Sequence, residues 1–399
     1  MTQWRPDDAA SYQSRTTPLV PPIHQSVTYL LDDTAYKDIA DGGLVETWYS
    51  RFSNPTVEAA AEVVRRLEGA EAAALTSSGM AAIATTLLTL CRSGDRVVAA
   101  RQVYGDTRDL LVRDLPRLGI AVDLVDATDQ DQWRHELSRA PVRLAYAETM
   151  SNPTLGLLDI AGVAEAAHAA GARLIVDNTF AGPALVRPLA LGADLVVESA
   201  TKFLNGHSDV IAGAVAGDAE TLREIRLRVV TLGGSLDPHA AYLLWRGLQT
   251  FDLRMREQCR TAAALADWLA ARSDVAAVIH PGRPDHPQHS LARRMFPDGL
   301  GGAMVAFVLD DDARGLAVMR TLRVAAEATS LGGVETLVSM PFNSSHASLG
   351  ADERLRAGIA PGMLRLSVGL EPLDALCDDL AAALDAHPPE SRTDKGARR

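Results

Sequence analysis

The chain has 399 residues, 47% of them hydrophobic and 23% charged, enough apolar material for a large core with a second, smaller domain packed beside it. Its formal net charge is −12 and its basic residues are scattered singly, which argues against nucleic acid and anionic membrane surfaces as partners. Cys91, Cys259 and Cys377 lie far apart without a CxxC, so neither a disulfide framework nor a zinc ribbon is expected. With no apolar leader-like segment and no apolar run of membrane-spanning length, a soluble cytoplasmic protein is expected.

In chain order, residues 1–58 read as an arm, with Pro6, Pro18, Pro21, Pro22 and Pro55 and little sustained periodicity. The stretch "PTVEAAAEVVRRLEGAEAAAL" predicts a helix to Gly69 and then a short apolar strand. From there strand and helix alternate. "DRVVAA" (95–100), "VRLAYAE" (142–148), "ARLIVDN" (172–178) and "ADLVVES" (193–199) are short and continuously apolar, and helical stretches such as "IAGVAEAAHAAG" separate them. Such strands predict a mostly parallel α/β sheet covered on both faces, here in a large domain over 59–255. Residues 238–273 read as mostly helical. The character then changes: "GGAMVAFVLD" and "GMLRLSVGLE" read as strands of a small α+β domain over 256–385, and the polar tail 386–399 is expected to be disordered.

Three stretches carry chemistry. "LTSSGMAAIATTLLTL" (75–90) ends a strand and opens a long helix at Gly79. Its free N–H groups and positive helix end suit a phosphate, although a plain serine N-cap gives the same pattern. "IVDNTF" (175–180) sets Asp177 at the carboxyl end of a buried strand, either to meet a cation or to cap the next turn. "VVESATKF" (196–203) ends the next strand with Ser199, Thr201 and Lys202, where a lysine is a surface residue or a desolvated amine fit for a Schiff base. A phosphate cradle, a carboxylate for a pyridinium nitrogen and an amine for an aldehyde together describe one cofactor, pyridoxal phosphate. No GxGxxG follows a first strand, which disfavours a nicotinamide-dependent dehydrogenase, and "TSSGM" does not fit the GxSxG of a serine hydrolase. A non-catalytic descendant is expected to have lost Lys202 or Asp177, and both are present. "HPGRPDHPQH" (280–289) gathers three histidines, but its prolines read as a surface loop and no metal site is expected.

The order and spacing of "YSRFSNPT" (49–56), "SSGMAA" (77–82), "VYGDT" (103–107), "DNTF" (177–180), "SATKFLNGHSD" (199–209), "SLGGVETL" (330–337) and "LRLSVGLE" (364–371) are specific. Across residues 15–385 the chain resembles the Cys/Met-metabolism group of fold-type I pyridoxal-phosphate enzymes, which includes cystathionine γ-synthases, cystathionine γ-lyases and methionine γ-lyases. The resemblance implies that Lys202 binds the cofactor aldehyde and that Asp177, with Thr179 beside it, pairs with the ring nitrogen. Gly79, Met80, Ser199 and Thr201 are then the phosphate ligands, Tyr104 stacks on the ring and Asn152 approaches its phenolic oxygen. It implies that Tyr49 and Arg51 reach the phosphate of a neighbouring subunit, so that a homotetramer of dimers shares its sites, and that Ser330 and Arg365 bind the substrate α-carboxylate. With a depressed pKa beside the cofactor, Tyr104 would protonate the departing sulfur.

Within that group the chain departs in places. Trp48 and Thr329 stand where many synthases and cystathionine lyases carry acids, which leaves the distal ammonium of cystathionine less well provided for. "WYSRFSNPT" and "GIAPGMLRLSVGLE" resemble methionine γ-lyases, yet Asp106 stands where those carry a cysteine, and "RLRVVTLGGSLDPH" lacks their Lys-Asp pair. The reading is γ-elimination from a sulfur amino acid, with γ-replacement on an O-acylhomoserine as the alternative. Asp106 is either a determinant of a polar or specialised substrate or a solvent-facing loop residue.

Overall fold

The computed structural model describes residues 18–41, 48–344, 347 and 350–389. Parts of the expected arm (1–17 and 42–47) and most of the expected tail (390–399) therefore lie outside the described residues.

The arm carries one helix, α1 (Asp33–Ala40), started by the Asp32 side chain, which accepts from Ala35 N, and burying none of its residues. At α2 (Pro55–Glu68), Asn54 caps a helix that opens on proline and ends at Gly69 in the left-handed conformation. Among the described residues, strands β1 (Ala72–Thr76), β2 (Arg96–Ala100), β3 (Ala121–Val125), β4 (Leu144–Glu148), β5 (Arg173–Asp177), β6 (Leu195–Glu198) and β7 (Gly213–Gly217) form one sheet in the order β1-β7-β6-β5-β4-β2-β3. Every neighbouring pair in it is parallel except those made by β7, which runs antiparallel to both β1 and β6. The inner strands read as unbroken apolar runs because helices such as α3 (Gly79–Leu90) bury them on both faces. Sequence patterning missed β3, whose Asp123 interrupts a short apolar run that is only partly buried, and β7, whose Gly-Ala-Val-Ala-Gly holds a single branched residue.

A second sheet, β10-β11-β12-β9-β8, is built from β8 (Ala277–Ile279), β9 (Met304–Val308), β10 (Ala326–Glu327), β11 (Leu337–Ser339) and β12 (Met363–Ser367). The expected domain boundary after residue 255 falls inside the helix Phe251–Ala270. Phe251, Met255 and Cys259 of that helix join the core around the large sheet, and Ala262, Leu265 and Leu269 join the core around the second. One helix thus belongs to both cores and ties them together.

Candidate active site

Parallel strands all present their carboxyl ends to one edge, which is where open α/β sheets place their ligands. Here that edge, the segment between β10 and β11 and Arg365 of β12 line a cavity of about 560 Å³.

Ser78 caps α3, its side chain accepting from Ala81 N at 3.1 Å, so the plain N-cap reading of this turn holds. The cap leaves the first-turn N–H groups of Gly79 and Met80 without intrahelical acceptors, and both residues lie on the cavity wall. A Cβ on Gly79 would stand 2.8 Å from Ser199 Cβ, so only glycine lets the helix start approach the end of β6 so closely. Ser199 and Thr201 line the same wall; the Thr201 hydroxyl donates to Ala212 O at 3.1 Å and accepts from Ala212 N at 3.0 Å.

Asp177, 6% exposed, ends β5 at the cavity floor. Its Oδ1 accepts from Thr179 N at 3.0 Å and from Thr179 Oγ1 at 2.5 Å, and its Oδ2 accepts from the buried Tyr146 O–H at 3.3 Å. Even with these donors, burial raises its pKa, the state of a carboxyl that a cation would relieve. Opposite it in register, Glu148 ends β4, lines the cavity and is pushed well above the usual carboxylate range by burial and by Asp177. Sequence reading passed over Glu148, although it holds the same end-of-strand position in "LAYAE" that singled out Asp177.

Lys202 Nζ donates to Ser330 Oγ at 3.0 Å, and burial, then the charge of Arg365, lowers its pKa. Two features fix its backbone. Gly332, at φ +80°, packs where any Cβ would meet Phe203 N at 2.5 Å. Arg254, buried in the helix Phe251–Ala270, donates to the carbonyls of Phe203, Leu204 and Asn205, a clamp that no motif announced.

Arg365, 4% exposed on β12, donates to Asn152 Oδ1 at 2.9 Å and to the carbonyls of Ser330 and Thr329 at 3.1 and 3.2 Å. Its Nε is buried without a partner, and among the described residues no carboxylate pairs with it. Burial lowers its pKa to about 10, so this is a costly cation held ready for an anion. Tyr104, 46% exposed, lines the open side, where its O–H donates to Asp106 Oδ2 at 2.8 Å. Without the cofactor, burial and Asp106 push its pKa up to about 12, since a neighbouring carboxylate disfavours the phenolate.

All the expected site residues but two meet at this cavity. Tyr49 and Arg51 do not line it; Arg51 Nη1 donates to Val230 O at 3.0 Å and the guanidinium lies 5.4 Å from the centre of the Tyr49 ring. Among the described residues no group of three or more histidine, cysteine or acidic side chains could hold a metal, and no helix is long and apolar enough to cross a membrane. The groups present fit pyridoxal phosphate: free helix N–H groups and hydroxyls for a phosphate, a buried carboxyl in want of a cation, and an amine of lowered pKa.

This architecture, with a cavity at the strand ends, is that of the fold-type I pyridoxal-phosphate enzymes. The chain belongs to one family of them, described as Cys/Met metabolism PLP-dependent enzyme, whose family model matches residues 8–385. It is 39% identical over 373 residues to L-methionine gamma-lyase of Porphyromonas gingivalis, covering 92% of this chain and 93% of the relative. It is 40% identical over 338 residues to O-succinylhomoserine sulfhydrylase of Pseudomonas aeruginosa, covering 85% and 83%. Among solved structures, cystathionine gamma synthase from Xanthomonas oryzae pv. oryzae, in complex with aminoacrylate and cysteine, superposes with a TM-score of 0.86 at 38% identity, covering 92% and 93%. The protein is therefore a pyridoxal-phosphate-dependent enzyme whose chemistry is γ-elimination or γ-replacement on sulfur amino acids.

Proposed function

We propose that the enzyme catalyses γ-elimination from a sulfur amino acid, consuming one water and releasing a thiol, ammonia and a 2-keto acid. The observation that carries this reading is a pair of uncharged residues on the cavity lining, Thr329 and Ile211. Trp48, which packs on Phe52 with ring centroids 4.7 Å apart, does not line the cavity in its own chain. A distal ammonium has no dedicated partner in that pair, and an uncharged thioether needs none.

In this reading Gly79, Met80, Ser199 and Thr201 hold the cofactor phosphate, Asp177, oriented by Thr179, holds its ring nitrogen, and Asn152 approaches its phenolic oxygen. Lys202 is the amine that binds its aldehyde. When bound, pyridoxal phosphate supplies an electron sink for a carbanion at the substrate. The chain's own residues do the rest. Arg365 takes the α-carboxylate beside the Ser330 carbonyl, using charge-assisted bonds that lysine could not fork. Burial, then the charge of Arg365, lowers the pKa of Lys202, which favours the free amine that would carry protons at Cα and Cβ. Tyr104 flanks the ring and keeps its own proton, available to the departing sulfur. Tyr49 and Arg51, outside this chain's cavity, serve the phosphate of a neighbouring subunit in a tetramer built from dimers.

The second reading, γ-replacement on an O-acylhomoserine, is favoured by the sulfhydrylase and synthase relatives, which are as similar as the lyases. Both readings share every step until the γ-substituent leaves, so the product decides. The enzyme is expected to form keto acid and ammonia from L-methionine or L-homocysteine. A thioether formed from O-acylhomoserine and cysteine much faster than 2-oxobutanoate, with little keto acid from any thioether, overturns elimination and establishes replacement.

A further inference from the structure

Ser330 joins the two halves of the cavity: its hydroxyl accepts from Lys202 Nζ and its carbonyl accepts from Arg365. It sits on the irregular segment between β10 and β11, so bonds from elsewhere must hold it in place. Gly332 N donates to Ser367 Oγ at 2.8 Å, and Leu370 N donates to Val334 O at 2.7 Å, which fasten the segment to β12 and to the chain just beyond it. Gln258 adds a tie from a different element. It is fully buried in the helix Phe251–Ala270, and its Nε2 donates to Gly333 O at 2.7 Å and to Val368 O at 3.0 Å. Both partners are carbonyls, which sets the orientation of the amide and leaves Oε1 buried without a partner, a cost that the two donor bonds offset. One of those carbonyls lies three residues past Ser330 and the other three residues past Arg365, whereas Gln258 itself does not line the cavity. Arg254, one helical turn earlier on the same face, holds the Lys202 turn. One face of one helix therefore fixes the amine on one side of the cavity and the segments carrying Ser330 and Arg365 on the other.

We infer that Gln258 is a positioning residue for substrate binding: by holding together the backbone that follows Ser330 and the backbone that follows Arg365, it keeps the Arg365 guanidinium and the Ser330 segment at the spacing that receives an α-carboxylate. This role rests on the carboxylate seat proposed above for Arg365.

L-norleucine and n-pentylamine separate this role from a merely structural one. They differ only by the α-carboxylate and carry no γ-leaving group, so the binding of each to the holoenzyme is read from the absorbance of the bound cofactor. Gln258→Met is close in length and volume and removes both donors. It should weaken L-norleucine binding by about three- to tenfold, the scale of one neutral hydrogen bond. Binding of n-pentylamine, and of pyridoxal phosphate to the apoprotein, should stay at wild-type values. Gln258→Asn, whose amide is one methylene short of bridging both carbonyls, should fall between wild type and Gln258→Met. In an Arg365→Lys background Gln258→Met should add little, because the two residues act on one contact. Unchanged L-norleucine binding, equal weakening of both ligands in the two Gln258 variants, or full additivity with Arg365→Lys overturns the inference and leaves the carboxylate seat standing. If the wild type binds n-pentylamine as tightly as L-norleucine, the seat at Arg365 falls and the inference falls with it.

Discussion

Arg365 shows how much one side chain's surroundings decide. A buried guanidinium with an unpartnered Nε and only neutral acceptors around it gains more from an incoming carboxylate than an exposed arginine does, because little hydration remains to be lost. Arg365→Lys keeps the charge but cannot donate to Asn152, to the Ser330 carbonyl and to a carboxylate in one plane. We expect kcat/KM for the amino-acid substrate to fall by about tenfold to a hundredfold, corresponding to one charged hydrogen bond, mostly through KM. An unchanged KM in steady-state assays would remove Arg365 from substrate binding. Tyr104 makes the complementary point. Without the cofactor its pKa moves up because it is partly buried and because the Asp106 carboxylate stands two residues away.

At the scale of elements, strand ends concentrate carboxyl groups. β4 ends in Glu148, β5 in Asp177 and β6 in Glu198, each buried, and side-chain alternation sends Glu198 to meet Glu68 of α2, which is also buried. Burial raises the pKa of both members of that pair; Glu68 pushes Glu198 further up, well above its ordinary 4.5, while the hydrogen bond from Glu198 holds Glu68 back. We expect the two carboxyls to share one proton, because Glu68 Oε2 and Glu198 Oε1 are both buried without a hydrogen-bond partner. The sign follows from linkage. Folded-state pKa values above the unfolded one give stability that is fully present below pH 4.5 and lost as pH rises through the folded values. Glu198→Gln, which supplies a permanent donor to Glu68, should therefore flatten the fall of melting temperature on the alkaline side. Thermal unfolding of both proteins across about pH 5 to 9 checks this, and parallel curves would refute the shared proton.

At the scale of the whole molecule, the arm is the part with least reason to sit where it does. Leu19 is 99% exposed, Leu30 80% and Tyr36 61%, and α1 buries nothing, an apolar surface that a second copy of the chain would cover. Tyr49 and Arg51 lie at the base of this arm, outside their own chain's cavity. If they complete a neighbour's site, Arg51→Ala and Lys202→Ala subunits, each inactive alone, should regain activity when mixed. Half of the sites in a mixed dimer then carry both native residues. Mass analysis showing that hybrids form while activity stays absent would exclude shared sites.

The sequence by itself determined the elements whose signal is local. Continuous apolar strands at "VRLAYAE", "ARLIVDN" and "ADLVVES" could only be buried on both faces, and residues placed just past their ends had to share one edge of a parallel sheet. Asp177, Lys202 and the α3 start were legible for that reason, and the resemblance of motifs brought in Tyr104, Asn152, Ser330 and Arg365. Tertiary structure alone decided what depends on partners distant in sequence. β7 is a strand because β1 and β6 flank it, not because its small residues favour one. Arg254 holds the Lys202 turn across some fifty residues of chain. The charge states of Glu148, Glu198 and Tyr104 follow from burial and from which charged neighbours the fold brings beside them, and the local sequence carries no record of either.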